Sequence, residues 1–172
     1  PGAEITIEAN PGTVTRESLA SFRSLGVNRL SLGVQSFHDG ELAFLGRIHD
    51  SAEALQCMES SRAAGFENVG LDLIYSIPSQ TLPQWEENLR IAVRFAPEHI
   101  SAYSLSMEDG TPLARMVEAG SVRPNPAGRE AAMYERTMEL LAAHGYEHYE
   151  VSNYALADFH CRHNRAYWSH QD

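Results

Sequence analysis

The sequence predicts an α/β protein, built as an open parallel sheet or as an arc of a (β/α) barrel. Three observations carry that reading. Short apolar runs alternate with helical segments along the 172 residues. The helices start and stop on recognisable capping residues. Three successive strands are apolar on one face and small and polar on the other. Strand–helix–strand alternation means parallel strands with helical crossovers, and such crossovers are almost always right-handed.

The first strand is ITIEAN, Ile5–Asn10. A helix follows from Arg16, with Thr15 as N-cap and Gly26 as its stop. Asn28–Val34 is the second strand. A short helix over Gly40–Leu45 ends at Gly46. Asp50 and Glu53 have capping-box spacing and open a helix over Ser51–Ala64, closed by Gly65. Asn68–Ile74 is the third strand. Thr81 and Gln84 form a second capping box, with Pro83 in the first turn of a helix to Phe95. His99–Leu105 is the fourth strand. Thr111–Pro112 begins a short helix that ends at Gly120, and Pro124 and Pro126 mark a loop. A helix over Gly128–Ala143 stops before Gly145, and Tyr146–Ser152 reads as a fifth strand. There is no internal repeat.

Side chains alternate across a strand. Ile5, Ile7 and Ala9 share one face of the first strand, and Thr6, Glu8 and Asn10 share the other. Leu30, Leu32 and Val34 oppose Ser31, Gly33 and Gln35. Val69, Leu71 and Leu73 oppose Gly70 and Asp72. The apolar faces are expected to pack on the crossover helices. The polar faces are unusual, because parallel sheets and filled barrels are apolar on both sides. Small and polar residues leave room instead. Glu8, Gln35 and Asp72 fall near strand C-termini, where ligands bind in parallel α/β folds. The residues therefore predict a polar, ligand-sized hollow. The alternative use of such carboxylates is to bind loop backbone or pair with arginine, since a buried carboxylate needs partners.

Composition excludes several function classes. A net charge of −10 argues against a nucleic-acid backbone as partner. All thirteen basic residues are arginine, so neither a P-loop lysine nor a lysine Schiff base is available. No apolar run approaches the roughly 18 residues of a membrane span. The two cysteines, Cys57 and Cys161, are too few for a disulfide framework. A cytoplasmic setting is the expectation. Both ends read as cuts within a longer chain.

The strings IEANP, NRLSLGVQSF, LGRIH, LDLIYSIPSQT, HISAYSLSMEDGTPL, YEVSNYA and CRHNRAYW occur in that order. Together they resemble the radical S-adenosylmethionine (radical SAM) family of oxygen-independent coproporphyrinogen III oxidases and the related HemW-type heme chaperones. The resemblance implies a partial (β/α) barrel with SAM lying across the strand C-termini. It places SAM contacts on Glu8, Gln35, Arg47 and Asp72, with Ser106 near the nucleoside. It divides the chain into a radical SAM core over residues 1–110 and the start of a C-terminal region over 111–172. It also implies a 4Fe–4S cluster, but the CxxxCxxC motif and the glycine-rich GGTP segment of the family are absent from this sequence, and their expected place is upstream of Pro1. The chain alone is therefore not expected to generate a radical. IYSIPSQT departs from the family's IYGLP-type string at Ser76 and Ile77.

Five of the eight histidines fall in the last 29 residues. His144 and His148 straddle the Gly145 stop, so they do not share a helical face, and a zinc site there is disfavoured. HNRAYW resembles the HNxxYW motif of the HemW-type branch. The resemblance makes His163 the expected axial ligand of a heme, with Tyr167 and Trp168 as flat apolar neighbours; the other use of this segment is to order a loop. Small molecules (SAM and heme or porphyrin) and a heme-accepting protein are the implied partners. Two rival readings remain: a coproporphyrinogen oxidase, and a barrel hydrolase using Glu8 and Asp72 as an acid/base pair. The hydrolase would need a fixed carboxylate separation of about 5–9.5 Å and an aromatic platform that the polar faces of these strands do not supply.

Overall fold

The computed structural model describes residues 2–169; Pro1 and the last three residues, in which the expected chain cuts fall, lie outside the described residues. Six strands form one sheet. In chain order they are β1 (Thr6–Ala9), β2 (Arg29–Gln35), β3 (Val69–Tyr75), β4 (His99–Ser104), β5 (Glu147–His148) and β6 (Asn153–Ala155). Their order across the sheet is β1-β2-β3-β4-β6-β5. The first four are parallel neighbours, joined by crossovers that carry α1 (Arg16–Ser24), α2 (Asp39–Phe44), α3 (Ser51–Ala63) and α4 (Leu82–Phe95). Helices α5 (Pro112–Glu118), α6 (Ala127–Ala143) and α7 (Arg162–Trp168) follow.

Local chemistry sets the helix starts as the sequence predicts. Thr15, Asp50 and Thr81 each accept from the backbone three residues on, and the third residue's side chain reaches back to the cap. Leu30, Leu32, Val34, Val69, Leu71, Leu73 and Ile100 are all fully buried on the helix side of the sheet. Trp85 anchors α4 against α6, its indole N–H reaching the Thr137 hydroxyl at 2.8 Å. Ile5 departs from expectation: it precedes β1 and is 47% exposed. β1 is an edge strand, so half of its backbone groups have no strand partner among the described residues.

The predicted fifth strand, Tyr146–Ser152, is replaced by a hairpin. β5 takes only two of its residues, and the chain turns and returns as β6, antiparallel to β4. The turn is closed by Tyr149 N–H donating to Asn153 O at 3.2 Å and by Ser152 N–H donating to the Glu150 carboxylate at 3.1 Å. It contains no glycine or proline, and Ser152–Asn153 is its one weak turn signal. α7 likewise lacks a local start signal, having no side-chain N-cap.

The loops at the strand C-termini are fixed by a buried carboxyl. Glu41 Oε2 accepts from the Ser36 hydroxyl at 2.5 Å, Gln80 Nε2 at 3.0 Å and Asn88 Nδ2 at 3.1 Å. Asn88 Oδ1 in turn accepts from the Phe37 N–H at 2.6 Å. One side chain thus joins the loop after β2, the loop after β3 and helix α4. Replacing Glu41 with alanine leaves the Gln80 and Asn88 amide donors unpaired, at about 1–3 kcal/mol for each, and leaves the Ser36 hydroxyl only Asn88 Oδ1, at 3.2 Å. Glu41→Ala is expected to lose about 3 kcal/mol or more of unfolding free energy in urea titration; a loss under about 1 kcal/mol would show that the loops are held by something else.

Candidate functional site

The polar faces of β1–β4 line one cleft of about 610 Å³. Successive inward residues form rungs across the sheet. Glu8, Ser31, Gly70 and His99 share one rung by register, and Asp72 and Ser101 pair two residues further on. The Ser31 hydroxyl lies 3.1 and 3.3 Å from the two Asp72 oxygens. Burial pushes the Asp72 carboxyl above the usual carboxylate range; the Ser101 and Ser31 hydroxyls and the Arg29 charge oppose that shift without cancelling it.

Gln35 faces the cleft as alternation along β2 predicts. The β2–β3 register slips between Leu32 and Gln35, and Gln35 takes a left-handed backbone with φ of 67°. Its amide and that of Asn10 then converge on Gly33, where an added Cβ would meet Asn10 Oδ1 at 2.5 Å and Gln35 Nε2 at 2.9 Å. Glycine is required there because two side-chain amides occupy the space. Ser76, also left-handed at φ 61°, stands where the resembling string has glycine. The loop keeps the glycine conformation and accepts the strain, of order 1 kcal/mol or more.

Glu8, Gln35, Asp72, Ser106 and His163 all line this cleft. Arg47 does not. It follows α2, and its Nε is buried without a hydrogen-bond partner among the described residues. Arg29, His99, Ser101 and Tyr103 also line the cleft and were missed. The signal was present: Arg29 has the parity of Ser31, and His99, Ser101 and Tyr103 share one face of β4.

His163 sits in the first turn of α7 and also faces a second hollow of about 440 Å³, with Tyr103, Val151, Tyr167 and Trp168. Tyr167 and Trp168 are 73% and 57% exposed, their rings edge to face at 5.9 Å. The neighbouring His160 is otherwise engaged. It stacks on Tyr149 at 4.5 Å, and its Nε2 lies 2.8 Å from the Glu147 carboxylate, out of line for a hydrogen bond. Cys161 is buried, with its sulfur 3.7 Å from a Glu4 oxygen. Cys57 behaves as the buried hydrophobe expected: it is packed in α3, and burial pushes its thiol up to about 11. No group of three or more His, Cys, Asp or Glu side chains suited to a metal occurs among the described residues.

Because the folded-state pKa of Asp72 lies above the unfolded value, folding stability associated with it is lost as pH rises from about 4. Asp72→Asn removes that loss. The variant should match the wild type in melting temperature at low pH and exceed it at pH 7. A variant less stable than the wild type at pH 7 would mean that the ionised carboxylate is held by favourable contacts.

Comparison with known proteins agrees with the geometry. Residues 1–92 match the radical SAM superfamily. The heme chaperone HemW of Bacillus subtilis is 40% identical over 98% of this chain, which covers 45% of that protein. HemW of Escherichia coli is 39% identical over 99% of the chain and 44% of its own length. The mitochondrial radical S-adenosyl methionine domain-containing protein 1 of Bos taurus is 37% identical over 96% of the chain, and 38% of that protein is covered. The chain thus spans less than half the length of these relatives. In fold it resembles coproporphyrinogen III oxidase (HemN) from Escherichia coli, with a TM-score of 0.78 at 23% identity over 97% of the chain and 38% of that structure. No helix among the described residues is long and apolar enough to cross a membrane. With the parallel half-barrel and its polar inner face in place, the match over more than half of its length shows that this chain belongs to the radical SAM superfamily.

Proposed function

We propose that residues 1–110 form the SAM-binding wall of a HemW-type heme-handling protein, and that residues 111–172 carry its heme-contacting segment. The observation that supports this reading best is the cleft itself: a ligand-sized hollow at strand C-termini lined by acceptors and amides. SAM presents an ammonium, ribose hydroxyls and a carboxylate. Glu8 and Asp72 accept from the ammonium or the ribose, and Gln35 both donates and accepts. Ser106 approaches the nucleoside. Arg47, outside the cleft wall, would engage the carboxylate bidentately from the loop after α2.

A 4Fe–4S cluster, when bound beside SAM, would supply an electron for cleaving it. Such a cluster needs thiolates at defined spacing, and Cys57, packed in α3, and Cys161, beside Glu4, do not provide that set. The portion of the relatives that this chain does not span would carry the cluster's ligands. The HemW relatives favour heme handling over oxidation of coproporphyrinogen.

His163 is the proposed heme ligand. It is exposed, and the exposed Tyr167 and Trp168 provide flat apolar surface on the same short helix. His160 and Cys161 are tied up by Glu147, Tyr149 and Glu4. The test is heme titration followed by Soret absorbance. His163→Ala should weaken binding at least about tenfold, near 1.4 kcal/mol, while His160→Ala and Cys161→Ala change it little. Equal loss in all three would mean nonspecific adsorption, and loss only in Cys161→Ala would move the ligand to the thiolate.

A further inference from the structure

Three side chains belong to two hollows at once. Tyr103, His163 and Asn164 line the cleft of about 610 Å³ and also the hollow of about 440 Å³ that holds Tyr167 and Trp168. The cleft assigned to SAM and the surface assigned to heme therefore meet along one shared wall.

Two elements build that wall. Tyr103 is the last inward residue of β4, in step with His99 and Ser101. His163 and Asn164 stand side by side in the first turn of α7. Contacts to both edges of the sheet hold that turn in place. The Arg162 N–H donates to the Glu4 carboxylate at 3.0 Å, and the Arg162 guanidinium donates to the Gly2 carbonyl at 2.7 Å, both just ahead of β1. Asn164 Nδ2 lies 3.5 Å from the Tyr149 hydroxyl, in the turn before β6. The helix carrying His163 is thus fixed against the cleft, and a heme on His163 would lie beside the cleft's occupant.

Tyr103 is the side chain able to feel both. It sits on an inner strand of the sheet, yet it is 43% exposed. Its uncovered surface borders the two hollows rather than the core. The first ligand to arrive covers part of the ring and fixes its rotamer. The second then meets a wall already ordered and gains its contact without that entropy cost. Coupling of this kind is positive, and linkage makes it equal in both directions.

We propose that Tyr103 couples the two sites, so that SAM in the cleft and heme on His163 strengthen each other's binding through this one ring. The inference rests on the SAM and heme readings above and adds a positioning residue that neither of them uses.

The test is a pair of titrations on the 172-residue chain. Heme is titrated by Soret absorbance with and without saturating SAM, and SAM by calorimetry with and without saturating heme. Heme affinity should rise at least about fivefold with SAM present, and SAM affinity should rise by the same factor with heme present. Tyr103→Ala should bring both factors to one, and Tyr103→Phe, which keeps the ring, should retain them. Each factor is a ratio within one protein, so a uniform loss of affinity caused by the substitution does not move it. Weaker heme binding in the presence of SAM would mean that the ligands compete for the wall. A factor of one in the wild type would make the sites independent, and a factor kept in folded Tyr103→Ala would place the coupling elsewhere. Any of these three results overturns the proposal. If heme binding still depends on His163, the heme reading survives that failure; a folded chain that binds neither ligand overturns both.

Discussion

The structure depends on strands that are apolar on one face only. Helices α1, α3, α4 and α6 supply the packing for Leu30, Leu32, Leu71, Leu73 and Ile100 on one side of the sheet. On the other side the same strands carry Glu8, Arg29, Ser31, Asp72, His99 and Ser101. In a closed, filled barrel this inner face would be Val, Ile and Leu. Here desolvated charge takes their place, and the perturbed Asp72 and His99 are the measure of it. Both groups are desolvated in the folded state, and both face the cleft.

A polar face alone would not make a site; the loops must also hold still. The Glu41 network ties the β2 and β3 loops to α4. From the other side, Glu130 of α6 accepts from Ser104 at 2.7 Å, and Asn125 donates to the Ile77 carbonyl at 2.9 Å. These contacts support left-handed backbone at Gln35 and Ser76, both at strand ends beside the cleft. Such conformations persist only where surrounding contacts over-determine them.

Much of this was legible in the sequence because it rests on local rules. Thr15 as N-cap gave the start of α1, capping boxes gave those of α3 and α4, and period-two alternation gave the inward residues of β1, β2 and β3. What escaped depended on long-range contacts. The β5–β6 turn is made by Tyr149, which leaves the strand to reach His99 on β4 and to stack on His160. Ser152 is the one weak turn signal in YEHYEVS. The register slip between Leu32 and Gln35 comes from β2–β3 pairing, which no single strand encodes. Arg29 was legible: it has the inward parity of Ser31 and Gln35, at the start of the same strand.

The central claim is that the concave face at the strand C-termini, and not the helical face, is where the nucleoside ligand sits. Backbone amide and methyl NMR of the isotopically labelled chain, titrated with SAM to saturation, tests it directly. The account predicts shifts at Glu8, Gln35, Asp72 and Ser106, with the buried methyls of Met58, Leu71 and Leu89 behind the sheet unchanged. Shifts confined to the helical side, or a saturating response that leaves Gln35 and Asp72 untouched, would contradict it.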